Sequence, residues 1–325
     1  MTNLTKICGW GRYPQQDAYL HAPSSSTSLE FTAKQQDSVL ARGMGRSYGD
    51  SANALNVLQT KYINHFIEFD KVTGKLTAEA GITLREILEV IVPSGWFLPV
   101  TPGTSYVTLG GAIASDVHGK NHHMAGAFGQ HVKSLGMLLG TGEVVTTSPQ
   151  HHADLFHATC GGMGLTGIII SATIQLLPIK SSLISQKTIK ADCIEEACEV
   201  FEINSDATYS VAWIDCLSKG KSLGRSVIML GEHASQGGLD IDIRQKVSVP
   251  FSTPSALLNS LTVKAFNAAY WHKSRQNLSQ TVGLMPYFYP LDTVGEWNRL
   301  YGKKGFLQFQ CVVPKLDGVA NMRKL

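Results

Sequence analysis

The chain has 325 residues, enough for two domains or one large one. At 43% hydrophobic and 16% charged it is not a disordered chain, and a net charge of +3 gives no bulk footprint for nucleic acid. Six scattered cysteines with no C-x-x-C pair fit a reduced compartment better than a disulfide framework.

In chain order, the first half reads as strands alternating with short helices. "SVLARG" is a strand that leads into the glycine-rich stretch "ARGMGRSYGD" at 41–50. "HFIEFD", a turn at "KVTG" and "KLTAEAG" form a hairpin. In "TLREILEVIVPSG", Thr83 is the N-cap, Leu84, Ile87, Leu88 and Ile91 share a face, and Gly95 closes the helix. "WFLPV" reads as a strand and "VTLGGAIASDVHG" as a small-residue helix between glycine loops. "HVKSLGMLLGTGEVVTTS" is a second hairpin. A helix follows, with Ser148 as N-cap and Pro149 at its first position, then a long buried strand, "LTGIIISATIQLLPI". That strand is interrupted by Thr, Ser and Gln, so it is no membrane span, and the N-terminus lacks a signal-peptide core. A cytoplasmic protein is expected, with peripheral contact at the inner membrane left open.

A polar connector at 180–182 marks a change. Strands "LISQKTIKA", "YSVAWIDC" and "RSVIMLGE" with the helix "CIEEACEVFEIN" describe an α+β unit with an antiparallel sheet. A helix is expected from Thr253 as cap and Pro254 as first residue, running to Trp271. "FLQFQCVVP" alternates like a strand, which puts Gln308 and Gln310 on one face. The final residues, "DGVANMRKL", begin a helical pattern with no cap after it. The expected fold class is α+β, with domains at 1–179 and 180–325.

The stretch 41–50 is not a dinucleotide fingerprint of the doubly wound kind. Its spacing is G-x-G-x-x-x-G, and "DSANALNVLQT" beyond it carries no helical apolar stripe. Gly43, Gly45 and Gly49 would still let backbone N–H groups approach phosphate oxygens, with Arg42 and Arg46 adding positive charge. Alone, the stretch is equally a glycine-rich turn with surface arginines. Two more glycine clusters, "PGTSYVTLGGAIASDVHGKNHH" at 102–123 and "CGGMGLTGIII" at 160–170, point to one large phosphorylated ligand. His122, His123 and His131 lack metal-ligand spacing, so no metal is expected.

On "GWGR" (9–12), "ARGMGRSYGD" (41–50), "TLGGAIASDVHGKNHH" (108–123), "GLTGII" (164–169) and "GFLQFQ" (305–310), the sequence resembles the vanillyl-alcohol-oxidase superfamily with its PCMH-type FAD-binding domain. Within it, the resemblance is to the branch that oxidises polyprenylphosphoryl ribose. It implies a PCMH-type FAD-binding domain of two subdomains at 1–179 and an incomplete substrate domain at 180–325, since members of that branch continue beyond the equivalent of Leu325. It further implies that Ala41, Arg42, Gly43, Met44, Gly45, Arg46, Ser47, Tyr48, Gly49 and Asp50 hold the FAD pyrophosphate. Gly103, Thr108, Leu109, Gly110, Gly111, Ser115, Asp116, Val117 and His118 would line the rest of the flavin, and Ile169 its adenine end or ribityl chain. Many relatives carry a histidine that bonds the flavin where this chain has Arg46, so non-covalent FAD is expected.

The same resemblance implies oxidation of a ribose 2′-hydroxyl to a ketone, with hydride passing to flavin N5 and a base taking the proton. A short-chain reductase partner would complete a 2′-epimerisation for cell-envelope arabinose supply. His118, Lys120, Gln308 and Gln310 are the candidate catalytic residues. The catalytic base is expected in the part this chain lacks. Alternatives are a soluble sugar or aldonolactone oxidase, or an FAD-binding fragment without turnover.

Overall fold

Three sheets carry the chain, seen in a computed structural model that describes residues 4–244, 247–254 and 257–325. The first sheet contains β1 (Leu4–Cys8), β2 (Gln15–His21), β3 (Leu40–Arg42) and β4 (Asn56–Gln59) in the order β1-β2-β4-β3. The crossover between β2 and β3 is α1 (Ser26–Lys34), which buries Leu29. Because β3 pairs parallel to β4, its end releases the 43–49 loop at the sheet rim.

The second sheet is antiparallel. It joins β5 (Phe66–Asp70) and β6 (Lys75–Glu79) to strands further along the chain. Between them come α2 (Leu84–Ile91), the two-residue strand β7 (Trp96–Phe97) and α3 (Leu109–Ala114), then a one-turn helix α4 (His122–Ala125). The sheet is completed by β8 (Val132–Leu138), β9 (Val144–Thr147) and, after α5 (Ala153–Thr159), β10 (Ile168–Gln175), in the order β5-β6-β10-β8-β9. Helix α2 forms as its sequence requires. Thr83 Oγ1 accepts from Glu86 N at 3.2 Å and Glu86 Oε2 accepts from Thr83 N at 2.7 Å. Leu84, Ile87, Leu88 and Ile91 are fully buried, each contributing roughly 1.5–3 kcal/mol.

After β11 (Leu177–Pro178), which pairs with β7, the third sheet takes β12 (Leu183–Ala191), β13 (Tyr209–Ile214), β14 (Ser226–His233) and β16 (Leu278–Gly283), in the order β13-β14-β12-β16. Helices α6 (Ile194–Ile203), α7 (Ser260–Lys273), α8 (Leu284–Phe288) and α9 (Gly318–Lys324) accompany it, and β15 (Val247–Ser248) pairs with β17 (Val294–Gly295). Strand pairing respects a division near residue 180. The core does not: one buried cluster includes Ile87, Phe97 and Leu135 together with Ile184, Tyr209 and Phe288. The 1–179 and 180–325 division stands as a proposal.

Four expected elements differ. Helix α5 begins at Ala153, because Ser148 Oγ is occupied by the N–H groups of Gln150 and His151 in a turn. Helix α7 begins at Ser260, capped by Asn259 Oδ1, which accepts from Leu261 N and Thr262 N at 2.9 and 3.0 Å. Thr253 is instead bound to the carbonyls of Arg299 and Leu300. Residues 255 and 256 lie outside the described residues. "WFLPV" contributes only two strand residues. Residues 305–312 run without a strand partner, because periodicity dictates which way side chains face and not whether a neighbouring strand is there to pair.

Candidate active site

A cleft of about 750 Å³ opens between residues 41–52, 102–118, 163–169 and 291–310. One wall is backbone brought close by glycine. A Cβ on Gly43 would lie 2.3 Å from Thr108 Oγ1, so β3's end presses directly on the start of α3. Gly103 lines the cleft and a Cβ there would meet nothing within 4 Å, which leaves its face free for a flat ligand. The N-terminus of α3 is stitched to the second sheet: Leu109 N donates to Ile82 O and Gly110 N to Ala80 O, both at 2.8 Å. Gly111 N donates to the Thr108 cap at 3.1 Å. Those amides are spent, so α3 offers proximity rather than free donors.

Residues 102–105 are fixed from the far half of the chain. The buried Asp292 carboxylate accepts from Thr104 Oγ1, Ser105 N and Ser105 Oγ at 2.7, 2.6 and 2.7 Å. Beside it Tyr289, fully buried, shares a hydrogen bond with Thr101, and burial pushes its phenol well above the usual tyrosine range.

Of the residues expected to hold cofactor, Ala41, Gly43, Met44, Gly45, Arg46, Ser47, Tyr48, Gly103, Thr108, Gly110, Gly111, Ser115, Val117, His118 and Ile169 line this cleft, as do Gln308 and Gln310. Six expected residues do not. Arg42 turns away: its Nη1 donates to Ala52 O and Asn53 Oδ1 at 2.9 and 3.0 Å, and its Nη2 to Cys8 O at 2.6 Å. Its charge braces the loop and faces no ligand. Leu109 is fully buried in the core. Asp116, at φ +39°, accepts from Gly129 N at 2.7 Å and holds the following turn. Gly49, at φ +72°, serves the bend, and Asp50 is exposed beyond it.

Lys120 is the sixth. Its Nζ donates to Phe288 O at 3.2 Å behind the wall, and burial lowers its ammonium to about 8. By contrast His118 and Gln310 meet at the cleft, with Gln310 Nε2 3.0 Å from His118 Nε2. In that orientation the amide donates and the imidazole accepts. Rotating the amide would present its oxygen to a protonated Nε2, so Gln310 can serve either state.

Sequence reasoning did not single out Trp10, Pro102, Thr104, Met163, Leu291 or Trp297, all of which line the cleft. Trp10 lies in the quoted "GWGR" and Met163 beside "GLTGII"; Leu291 and Trp297 carried no signal. Arg46 lies over the Trp10 ring at 3.7 Å and over Tyr106 at 4.9 Å. Its Nε is buried and has no hydrogen-bond partner among the described residues. Desolvation lowers its guanidinium, opposed by Asp292 and Glu296. A glycine-faced cleft of this size with an unsatisfied cationic donor fits a large, flat, phosphorylated cofactor such as FAD.

Comparison with known proteins agrees. Residues 24–148 match the FAD binding domain family. Decaprenylphosphoryl-beta-D-ribose oxidase of Mycolicibacterium smegmatis is 36% identical over 332 residues, covering 96% of this chain and 72% of that protein. The chain belongs to the decaprenylphosphoryl-β-D-ribose oxidase family. It is therefore an FAD-dependent oxidoreductase of α+β fold. An uncharacterised Streptomyces coelicolor protein from the mprA 5′ region is 34% identical over 189 residues, 56% of this chain and 51% of that one. L-gulonolactone oxidase of Scyliorhinus torazame is 29% identical over 153 residues, 46% of this chain and 34% of that enzyme. Among the described residues no helix is long and apolar enough to cross a membrane.

Proposed function

We propose that this chain oxidises the 2′-hydroxyl of a polyprenylphosphoryl-β-D-ribose to the 2′-ketone, with FAD bound non-covalently. The observation that carries the reading is the His118–Gln310 pair at a glycine-faced cleft, in a chain that shares 36% identity with its relative across nearly its whole length. Bound FAD supplies the two-electron acceptor for such an alcohol oxidation. His118 Nε2 becomes the proton acceptor for the sugar hydroxyl when substrate displaces the Gln310 amide from it, and the freed amide then bonds the sugar. Gln308, two residues away on the same wall, bonds a neighbouring hydroxyl. Lys120 acts from behind, through the Phe288 carbonyl it holds at 3.2 Å.

Arg46 stands where a nucleophilic side chain would be needed for a flavin linkage, and a guanidinium does not attack carbon at neutral pH. That supports cofactor that can be released. A ketone product calls for a reductase of the short-chain class to complete an epimerisation. A polyprenyl substrate calls for contact with a lipid surface, and Leu261 and Phe266 of α7, 76% and 62% exposed, are suited to it.

The test is to purify the chain with FAD, precipitate it with acid, and follow anaerobic bleaching of the flavin band on adding a short-chain polyprenylphosphoryl ribose. Flavin released to the supernatant and bleaching by the lipid-linked ribose, but not by L-gulono-1,4-lactone, is the expected result. Bleaching by the lactone alone would assign the chain to the lactone oxidases. Flavin left in the pellet would reverse the non-covalent reading.

A further inference from the structure

Arg46 is a cation with no direct ion-pair or hydrogen-bond partner for its buried Nε among the described residues. The other arginine of the loop, Arg42, is committed to Cys8, Ala52 and Asn53. Two carboxylates lie near Arg46, and both are engaged. Asp292 is saturated by Thr104 and Ser105, and Glu296 pairs with Arg299 at 3.4 Å. No other lysine or arginine, and no carboxylate, lines the cleft among the described residues. A cation desolvated against Trp10 and Tyr106, with a buried Nε lacking a partner, is built to receive an anion.

The surroundings say which kind of anion. Trp10 meets Trp297 edge-on, with ring centroids 5.7 Å apart, and Trp297 and Leu291 line the cleft from the far half of the chain. Trp297 is 5.6 Å from Phe306, on which Tyr301 stacks at 4.1 Å. The same stretch of chain carries exposed apolar side chains, Leu291, Leu300 and Tyr301 at 52%, 40% and 41%. Phe251, 69% exposed, belongs to the strap that Thr253 ties to Arg299 O. A single cation beside an apolar track that opens to the surface matches an ester of phosphate with a hydrocarbon chain.

We infer that Arg46 binds the phosphate of the lipid-phosphate substrate, with Trp297 and Leu291 receiving the first isoprenyl units. The inference rests on the proposed function for the nature of the substrate. The same guanidinium chemistry would serve the FAD pyrophosphate, and the experiment separates these two sources.

The FAD-loaded protein is titrated with farnesyl phosphate, with farnesol and with inorganic phosphate, read by quenching of tryptophan fluorescence, and FAD affinity is measured in parallel. Wild type is expected to bind farnesyl phosphate at least about tenfold more tightly than farnesol. In R46Q that preference disappears while FAD affinity stays within about threefold, and R46K recovers part of it. W297A, which keeps Arg46, weakens farnesyl phosphate and leaves inorganic phosphate unchanged, so the inference remains testable if R46Q does not fold. Loss of FAD affinity in R46Q with the farnesyl phosphate preference intact would assign Arg46 to the cofactor and overturn the inference, as would absence of any preference in wild type. Farnesyl phosphate binding without turnover of polyprenylphosphoryl ribose would sink the reaction and leave the phosphate site standing.

Discussion

Residues 41–48 and 103–118 meet the cleft with glycine and backbone, pinned to two sheets, whereas residues 291–310 meet it with side chains on chain that pairs with no strand except at 294–295. The first wall is specified by close approach: Gly43 against Thr108, and α3 stitched by its amides to the second sheet. The second is specified by chemistry, two amides, a tryptophan and a leucine, held by a few long-range contacts such as Asp292 to Ser105. Substitutions in the first wall, Arg46 apart, should therefore act on cofactor retention and stability. Those in the second should act on substrate and rate.

The sharpest way to break this contrast is His118→Ala, at the junction of the two walls. It is expected to lower kcat by about 10²–10⁴ while FAD content stays constant, measured by stopped-flow bleaching and flavin absorbance. Loss of flavin in place of rate would move His118 into the cofactor wall. Next is Gly43→Ala. The added Cβ forces Thr108 off its capping position, at a cost of about 1–3 kcal/mol. At least a tenfold loss of FAD affinity and a lower Tm are expected, with the KM of any residual holoenzyme unchanged.

The contrast also explains what the sequence disclosed. Positions 43, 110 and 111 were legible because glycine at a close approach is a constraint written in residue type. The hairpins at 66–79 and 132–147, helix α2 and the strands 183–191 and 226–233 were legible because periodicity and turn residues agreed. Leu291 and Trp297 were not legible, since a leucine and a tryptophan on irregular chain look like any other core residues until the fold brings them to the cleft. Arg42 misled for a related reason. Its charge beside a glycine loop suggested phosphate, while the fold uses it to bind three backbone and amide oxygens. Ser148 and Thr253 had the chemistry of N-caps and spent it on turn and strap contacts.

Smaller effects sharpen the picture away from the cleft. His233 ends β14 of the third sheet, its Nε2 3.2 Å from Tyr209 OH, and burial lowers its imidazole to about 4. Below its ordinary value of 6.5 the unfolded chain takes up a proton that the folded chain refuses, so stability falls as pH drops from 6.5 towards 4. Thermal melts should show that His233→Gln flattens this decline, by a difference on the order of 2 kcal/mol at pH 4. An unchanged slope would mean the imidazole is reached by water. Smallest of all is Arg323→Ala, which removes an exposed pair with Glu195 at 2.6 Å. Because exposed pairs contribute little, Tm and turnover should stay within measurement error. A clear loss would show that α9 supports the catalytic half.

The most direct test of the account is the spectrum of the FAD-loaded protein mixed anaerobically with a polyprenylphosphoryl-β-D-ribose. The account predicts bleaching of the flavin band with appearance of the 2′-keto sugar, slowed by about 10²–10⁴ in His118→Ala and less in Gln310→Ala. A flavin band that the lipid-linked ribose leaves unchanged, in protein that holds FAD stoichiometrically, would contradict it.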